Sequence, residues 1–234
     1  MIRNVLIVGG GSKVGIELTK YYLEHGYNVD VITGSDINTL HQEYKNLNYI
    51  HIDWDIIENA PQTIKKRLDY FLSDEYDIII FNQNNLNVHT SFELIRKNQH
   101  TEFIKNINTN ILLPDIILRS LYRSRKIQSN TKVVFIISRI ISMWLMQLSE
   151  HGDKAGYAAI KTLNFLFSKG YSVFNKGIYF CIEPGHFNKG MPGSIEQASR
   201  SIVNLIAKAD PSFNGLAFES YNEQEEYNII NYED

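Results

Sequence analysis

The run Asp77-Ile78-Ile79-Ile80-Phe81 constrains the fold more than any other stretch, because it is continuously apolar after its first residue. A strand with one solvated face alternates apolar and polar side chains. A strand without that alternation belongs in a parallel sheet covered on both faces. Short apolar runs recur at residues 2–8, 28–33, 49–52, 132–137, 177–182 and 216–218. Between them, residues 16–24, 36–45, 61–72, 102–122, 157–174 and 194–208 read as helices. Pro61 sits at a helix start, where proline is tolerated, whereas Pro114 falls inside the fourth helix and predicts a kink there. Strands alternating with helices across short turns predict an α/β fold, a Rossmann-type doubly wound parallel sheet. No repeat or linker interrupts the pattern, so residues 1–234 read as a single domain. Residues 222–234 form a polar, acidic tail that is expected to be loosely held.

Composition narrows the range of functions. A net charge of -3 gives no reason to expect nucleic acid or an anionic membrane as partner. No apolar run approaches the roughly 18 residues of a membrane helix. The N-terminal strand turns into glycines too soon for a secretory signal. The lone Cys181 excludes an internal disulfide and fits a cytoplasmic location. The seven histidines show no paired spacing, so no metal site is expected.

The residues with chemical potential cluster at strand ends. Gly9-Gly10-Gly11-Ser12-Lys13-Val14-Gly15 stands between the first strand and the first helix. Glycines there let the backbone approach a pyrophosphate, and the free N–H groups at the helix start favour its negative charge. Asp53, Asn82 and Ser138 follow the third, fourth and fifth strands. In such sheets ligands sit beyond these carboxyl ends. Farther along, Tyr157 and Lys161 are four residues apart in a helical segment, hence neighbours on one face. An ammonium beside a phenol favours its ionised form. A tyrosine so placed can exchange a proton with a substrate oxygen.

In this order and at these positions, the residues from Ile2 to about Met191 resemble the short-chain dehydrogenase/reductase family. Tyr157 and Lys161 match its YxxxK motif, and Gly9 and Gly15 match the outer glycines of its TGxxxGxG loop. Asp53 falls where the family's acidic residue meets the adenine ring, and Asn82 matches the second asparagine of NNAG. Asn108, in Ile107-Asn108-Thr109, falls where a helix asparagine shapes the site. Ser138 matches the active-site serine. Pro184-Gly185 resembles the PG turn after the sixth strand, with Met191 at the spacing of PGxxxTxM. The departures are Val8 for the leading threonine, Lys13 for the middle glycine, Gln83-Asn84 for the Ala-Gly of NNAG, Ile160 before the lysine, and Lys189 for the threonine of PGxxxTxM. The interval from Ser138 to Tyr157 is longer than the family's usual one, which leaves Ser142 as the alternative serine.

The resemblance implies NAD(P)-dependent hydride transfer between nicotinamide and a carbonyl or alcohol carbon, with Tyr157 as acid/base. Lys161 would keep the phenol acidic and bond the nicotinamide ribose, Ser138 would orient the substrate oxygen, and Asn108 would hold a helix and a water. Gly9, Gly11, Ser12, Lys13, Val14, Gly15, Ser35, Asp53, Asn82, Tyr157, Lys161, Pro184 and Gly185 would meet the cofactor. The second strand ends Thr33-Gly34-Ser35, with nothing acidic at Gly34 to repel a 2′-phosphate. With Ser35 as a hydrogen-bond donor and Lys13 as a cation, the reading leans to NADP over NAD. Asp36 next door reads as a helix cap. The resemblance further implies a homodimer or homotetramer. Residues 140–148, which include Trp144, are apolar enough for a buried helix turn, and the favoured reading is a substrate-pocket wall or a subunit contact. Two other readings stay open: a dinucleotide-binding sensor or regulator without turnover, favoured by the altered glycine loop, and a nucleotide-sugar reductase.

Overall fold

The computed structural model describes residues 3–53, 61–72, 75–83, 100–138, 155–185, 194–220 and 227–230. In chain order these form β1 (Asn4–Val8), α1 (Lys13–Glu24), β2 (Asn28–Thr33), α2 (Asn38–Glu43), β3 (Leu47–His51), α3 (Pro61–Phe71) and β4 (Ile78–Phe81). There follow α4 (His100–Ile107), α5 (Leu113–Arg123), β5 (Lys132–Ile136), α6 (Ala155–Phe174), β6 (Ile178–Glu183), α7 (Ser194–Lys208), β7 (Ala217–Glu219) and β8 (Asn228–Ile229). The strands make one sheet in the order β3-β2-β1-β4-β5-β6-β7-β8. All neighbours pair in parallel except β7 and β8. β1 lies between β2 and β4, so the chain reverses its direction of winding beside β1. A ligand crevice opens at such a reversal.

Alternate residues of each central strand feed two separate cores. Val5, Ile7, Ile78, Ile80, Val134, Ile136, Phe180 and Ile182 enter one core, with Leu18 of α1 and Ile202 of α7. Leu6, Val8, Ile79, Phe81, Val133, Phe135, Tyr179 and Cys181 enter the other, with Leu68 of α3 and Ile117 and Leu118 of α5. Burial on both faces is what the unbroken isoleucine run of β4 predicted. Each helix meets the sheet through one stripe. On α1 the buried residues are Gly15, Leu18, Thr19, Tyr22 and Leu23, the spacing of one helical face.

Two elements differ from the sequence reading. The helix expected over 102–122 is interrupted by a π-turn, Asn108–Leu112, in which the Leu113 N–H bonds the Asn108 carbonyl. Pro114 is therefore in the first turn of α5 rather than inside a continuous helix. Its ring would clash with the carbonyl four residues earlier in an unbroken α-helix, and the wider π-turn relieves that conflict just upstream. Thr109 Oγ1 and Asn110 Nδ2 donate to the carbonyls of Lys105 and Asn106, at 2.8 and 2.9 Å. The second difference is in the tail, which is tied down at residues 228–230. Ile229 pairs with Phe218, and the Ile230 N–H donates to the Ala217 carbonyl at 2.8 Å. Tyr227 packs on the rings of Phe213 and Phe218, which gives this stretch apolar contacts that its acidic composition hid. Among the described residues no helix is long and apolar enough to cross a membrane.

Candidate active site

The glycine turn after β1 is built by close approach. Gly9 has a φ of +87°, and a side chain there would meet the Asn82 carbonyl at 2.7 Å. Only glycine takes that backbone at low cost. A Cβ on Gly15 would stand 2.4 Å from the Gly9 carbonyl, so the first turn of α1 lies directly on the loop. Ser12 is the N-cap of α1, and its Oγ accepts the Gly15 N–H at 3.1 Å. Asn82 at the end of β4 clamps the turn: its Nδ2 donates to Ser12 Oγ at 2.8 Å and to the Gly9 carbonyl at 3.3 Å. A side-chain-free turn leading into a capped helix suits a pyrophosphate.

Lys13 is the first residue of α1 and is exposed. It is not among the residues with positive φ, so the turn needs no third glycine at this position. Gly11 faces the end of β2, where an added Cβ would meet Thr33 Oγ1 at 2.3 Å and Ser35 Cβ at 2.8 Å. Thr33 Oγ1 accepts the Ser35 N–H at 2.9 Å and donates to the Ser35 carbonyl at 3.1 Å. This bracing leaves Gly34 and Ser35 exposed beside the glycine turn. Asp36 Oδ1 accepts the Asn38 N–H at 2.9 Å, a local turn bond. The N-cap of α2 is Ile37, without a side-chain bond, so Asp36 stands one residue before the cap position read from the sequence. Asp53 lies just past β3 and is exposed.

On the other side of β4, Lys161 is buried, only 2% exposed. It lies on α6 one turn after Tyr157. Its Nζ donates to the Gln83 carbonyl at 3.1 Å and to the Ile136 carbonyl at 3.2 Å. Burial holds its pKa down at about 8, while the neighbouring Cys181 acts in the opposite direction. The Cys181 thiol is itself pushed up to about 12 by burial. Ser138 follows β5 and is half-buried, two residues beyond the carbonyl that Lys161 meets. Asn108, also half-buried, begins the π-turn. Pro184 and Gly185 follow β6 at the same end of the sheet, Gly185 with a φ of +85°. Among the described residues no cluster of histidine, cysteine or carboxylate side chains is arranged to hold a metal.

No sequence-family model and no curated protein matches the chain. Solved structures do match. A carbonyl reductase from Pseudomonas aeruginosa PAO1 in complex with NADP aligns with a TM-score of 0.73 at 18% identity, covering 95% of this chain and 98% of its own. The carbonyl reductase Sniffer of D. melanogaster aligns at 0.68 and 14% identity, over 95% and 98%. A short-chain dehydrogenase/reductase from Serratia marcescens gives 0.68 and 16%, over 94% and 96%. The fold is that of the short-chain dehydrogenases/reductases.

Within this fold, the residues predicted at strand ends gather at the carboxyl ends of β1, β2, β3, β4, β5 and β6. Ser142, Trp144 and Met191 lie outside the described residues. Sequence reasoning treated Gln83 only as a departure from a motif. The structure gives it two connections: its carbonyl receives Lys161, and its Nε2 donates to the Thr109 carbonyl at 3.2 Å. The one signal in the sequence was a long polar residue where a small one was expected.

Proposed function

We propose that this chain is an NADP-dependent oxidoreductase that interconverts a carbonyl and an alcohol. The supporting observation is the pairing of a bare glycine turn, clamped by Asn82, with a buried lysine one helical turn after a tyrosine. When bound, the nicotinamide cofactor supplies or accepts the hydride; everything else falls to the chain's residues. Gly9, Gly11, Val14 and Gly15, with the Ser12-capped start of α1, would hold the pyrophosphate, and Asp53 the adenine. Tyr157 donates a proton to the carbonyl oxygen, or takes it from the alcohol in reverse. Lys161 favours the phenolate by its charge and bonds the ribose. Ser138 orients the substrate oxygen. Asn108, at the start of the π-turn, would hold the helix and a water for the proton transfer, and Pro184 and Gly185 would border the nicotinamide end.

The test follows NADPH absorbance with a panel of ketones, aldehydes and a nucleotide-linked keto sugar. Oxidation by any of them supports the proposal. Tight NADPH binding with no turnover across the panel favours the sensor reading instead.

Cofactor choice rests on Gly34, Ser35 and Lys13. An anionic 2′-phosphate gains charge-assisted bonds from a lysine and a hydroxyl and meets no carboxylate at Gly34. Lys13→Ala is expected to weaken NADP binding by roughly 10- to 150-fold, the equivalent of the roughly 1.5–3 kcal/mol of a bond to a charged group, and to leave NAD binding nearly unchanged. Calorimetric titration of both cofactors checks this. Tighter NAD than NADP binding by the wild type would refute it.

The same reading makes the chain one domain that assembles as a homodimer or homotetramer. In support, Leu163, Leu166, Phe167 and Phe174 of α6 line an open groove of about 670 Å³ against α5, and Phe174 is 85% exposed. Of the charged residues that line it, Arg119 and Asp115 pair within the chain, Arg119 Nε to Asp115 at 2.7 Å, and Arg123 stands beside them. An apolar face of this kind on a lone chain marks an interaction site. Phe174→Glu is expected to halve the sedimenting mass at micromolar concentration. A wild type that already sediments as a monomer refutes the assembly.

A further inference from the structure

Gln83 stands where four segments meet. Its main-chain nitrogen would lie 2.9 Å from a Cβ on Gly9, so the peptide after β4 is pressed against the glycine turn. Its carbonyl accepts Lys161 Nζ from α6 at 3.1 Å. Its carboxamide Nε2 donates to the Thr109 carbonyl of the π-turn at 3.2 Å. The residue is only 5% exposed. A buried amide donor is strongly disfavoured without a partner, so the Thr109 bond dictates the orientation of the side chain. The anchored carboxamide and the carbonyl that receives the lysine belong to one residue. Fixing the first limits the movement of the second.

We propose that Gln83 is a positioning residue: its bond to Thr109 locks the π-turn to the end of β4 and thereby holds the Lys161 ammonium dry between the carbonyls of Gln83 and Ile136. A small residue at this position would not reach the Thr109 carbonyl. The inference rests on the proposed chemistry only in treating Lys161 as catalytic; the packing role stands on the geometry. Besides burial, the group that acts on Lys161 is Cys181 of β6; in sequence Tyr157 precedes the lysine by one turn of α6. The burial that depresses Lys161 is the property that Gln83 maintains.

The experiment is an NMR titration of protein labelled with ¹³C at the lysine ε-carbons, assigned with Lys161→Met. In wild type Lys161 is expected to titrate near about 8. Gln83→Met keeps the length and apolar volume of the side chain but removes the donor. Water then reaches the ammonium, and the Lys161 midpoint is expected to rise by about one unit, a tenfold change in acid constant. A midpoint unchanged in a cooperatively folded Gln83→Met overturns the proposal. A measurement on wild type needs no variant: the Gln83 carboxamide protons are expected to exchange far more slowly than those of an exposed glutamine. Free exchange there also overturns it. NADPH turnover is read separately. A Lys161 shift in Gln83→Met together with no turnover by wild type sinks the proposed function and leaves the role of Gln83 standing.

Discussion

Tyr157→Phe is expected to lower turnover by about 10²–10⁴-fold, the usual contribution of a positioned acid or base, while NADP affinity and thermal stability stay at wild-type values. The change removes one oxygen. Phenylalanine keeps the ring and is comparable as a helix residue, so α6 should keep its place in the fold. Loss confined to kcat, with the dissociation constant of NADP unchanged, identifies the phenol as the proton donor. A variant that turns over at the wild-type rate on a true substrate removes Tyr157 from the mechanism. Stopped-flow measurement of single-turnover NADPH oxidation gives this comparison without interference from product release.

Lys161→Met is expected to change how stability responds to pH. The folded-state pKa of Lys161, about 8, lies below its ordinary value of 10.5 because burial penalises the charged form. Between those values the unfolded chain binds the proton and the folded chain does not, so stability rises with pH across this window. The penalty is fully present below about 8 and has gone above the ordinary lysine value. Its size is on the order of 3 kcal/mol, from 1.36 kcal/mol for each pKa unit. Wild type should therefore gain about that much stability relative to Lys161→Met between pH 7.5 and pH 10.5, read from urea midpoints. Cys181 and the buried tyrosines titrate in both proteins and largely cancel in the difference. At neutral pH the two proteins should be close in stability. Methionine escapes the desolvation penalty but leaves the carbonyls of Gln83 and Ile136 without the lysine, at about 1–3 kcal/mol each. A pH-independent difference would mean that Lys161 is not buried as a cation.

Burial brings the loss of charge on Lys161 to just above neutral pH. In the proposed mechanism the ammonium would favour the Tyr157 phenolate below about 8, and that support would fade above it. The same desolvation therefore bears on stability and, in the proposed mechanism, on the pH range of turnover.

The strands of the sheet were legible from the chain because their information is local. An unbroken run such as Ile78–Phe81 has one low-energy use, a strand covered on both faces, and the structure sends Ile79 and Phe81 to one core and Ile78 and Ile80 to the other. The glycine turn and the spacing of Tyr157 and Lys161 were legible for the same reason, since backbone freedom and helical period act over a few residues. Tertiary structure decided the rest. Which carbonyls receive Lys161 depends on strand ends 78 and 25 positions away in sequence. The break at Asn108 was decided where Pro114 had to be accommodated, one turn away from where the proline by itself predicted a kink. β8 formed because the edge of β7 offered open backbone groups and Phe213 and Phe218 offered a surface for Tyr227. Gln83 shows the limit most clearly: in the chain it is a polar residue in place of a small one, and only its nonlocal hydrogen bonds to Thr109 and Lys161 give it a role.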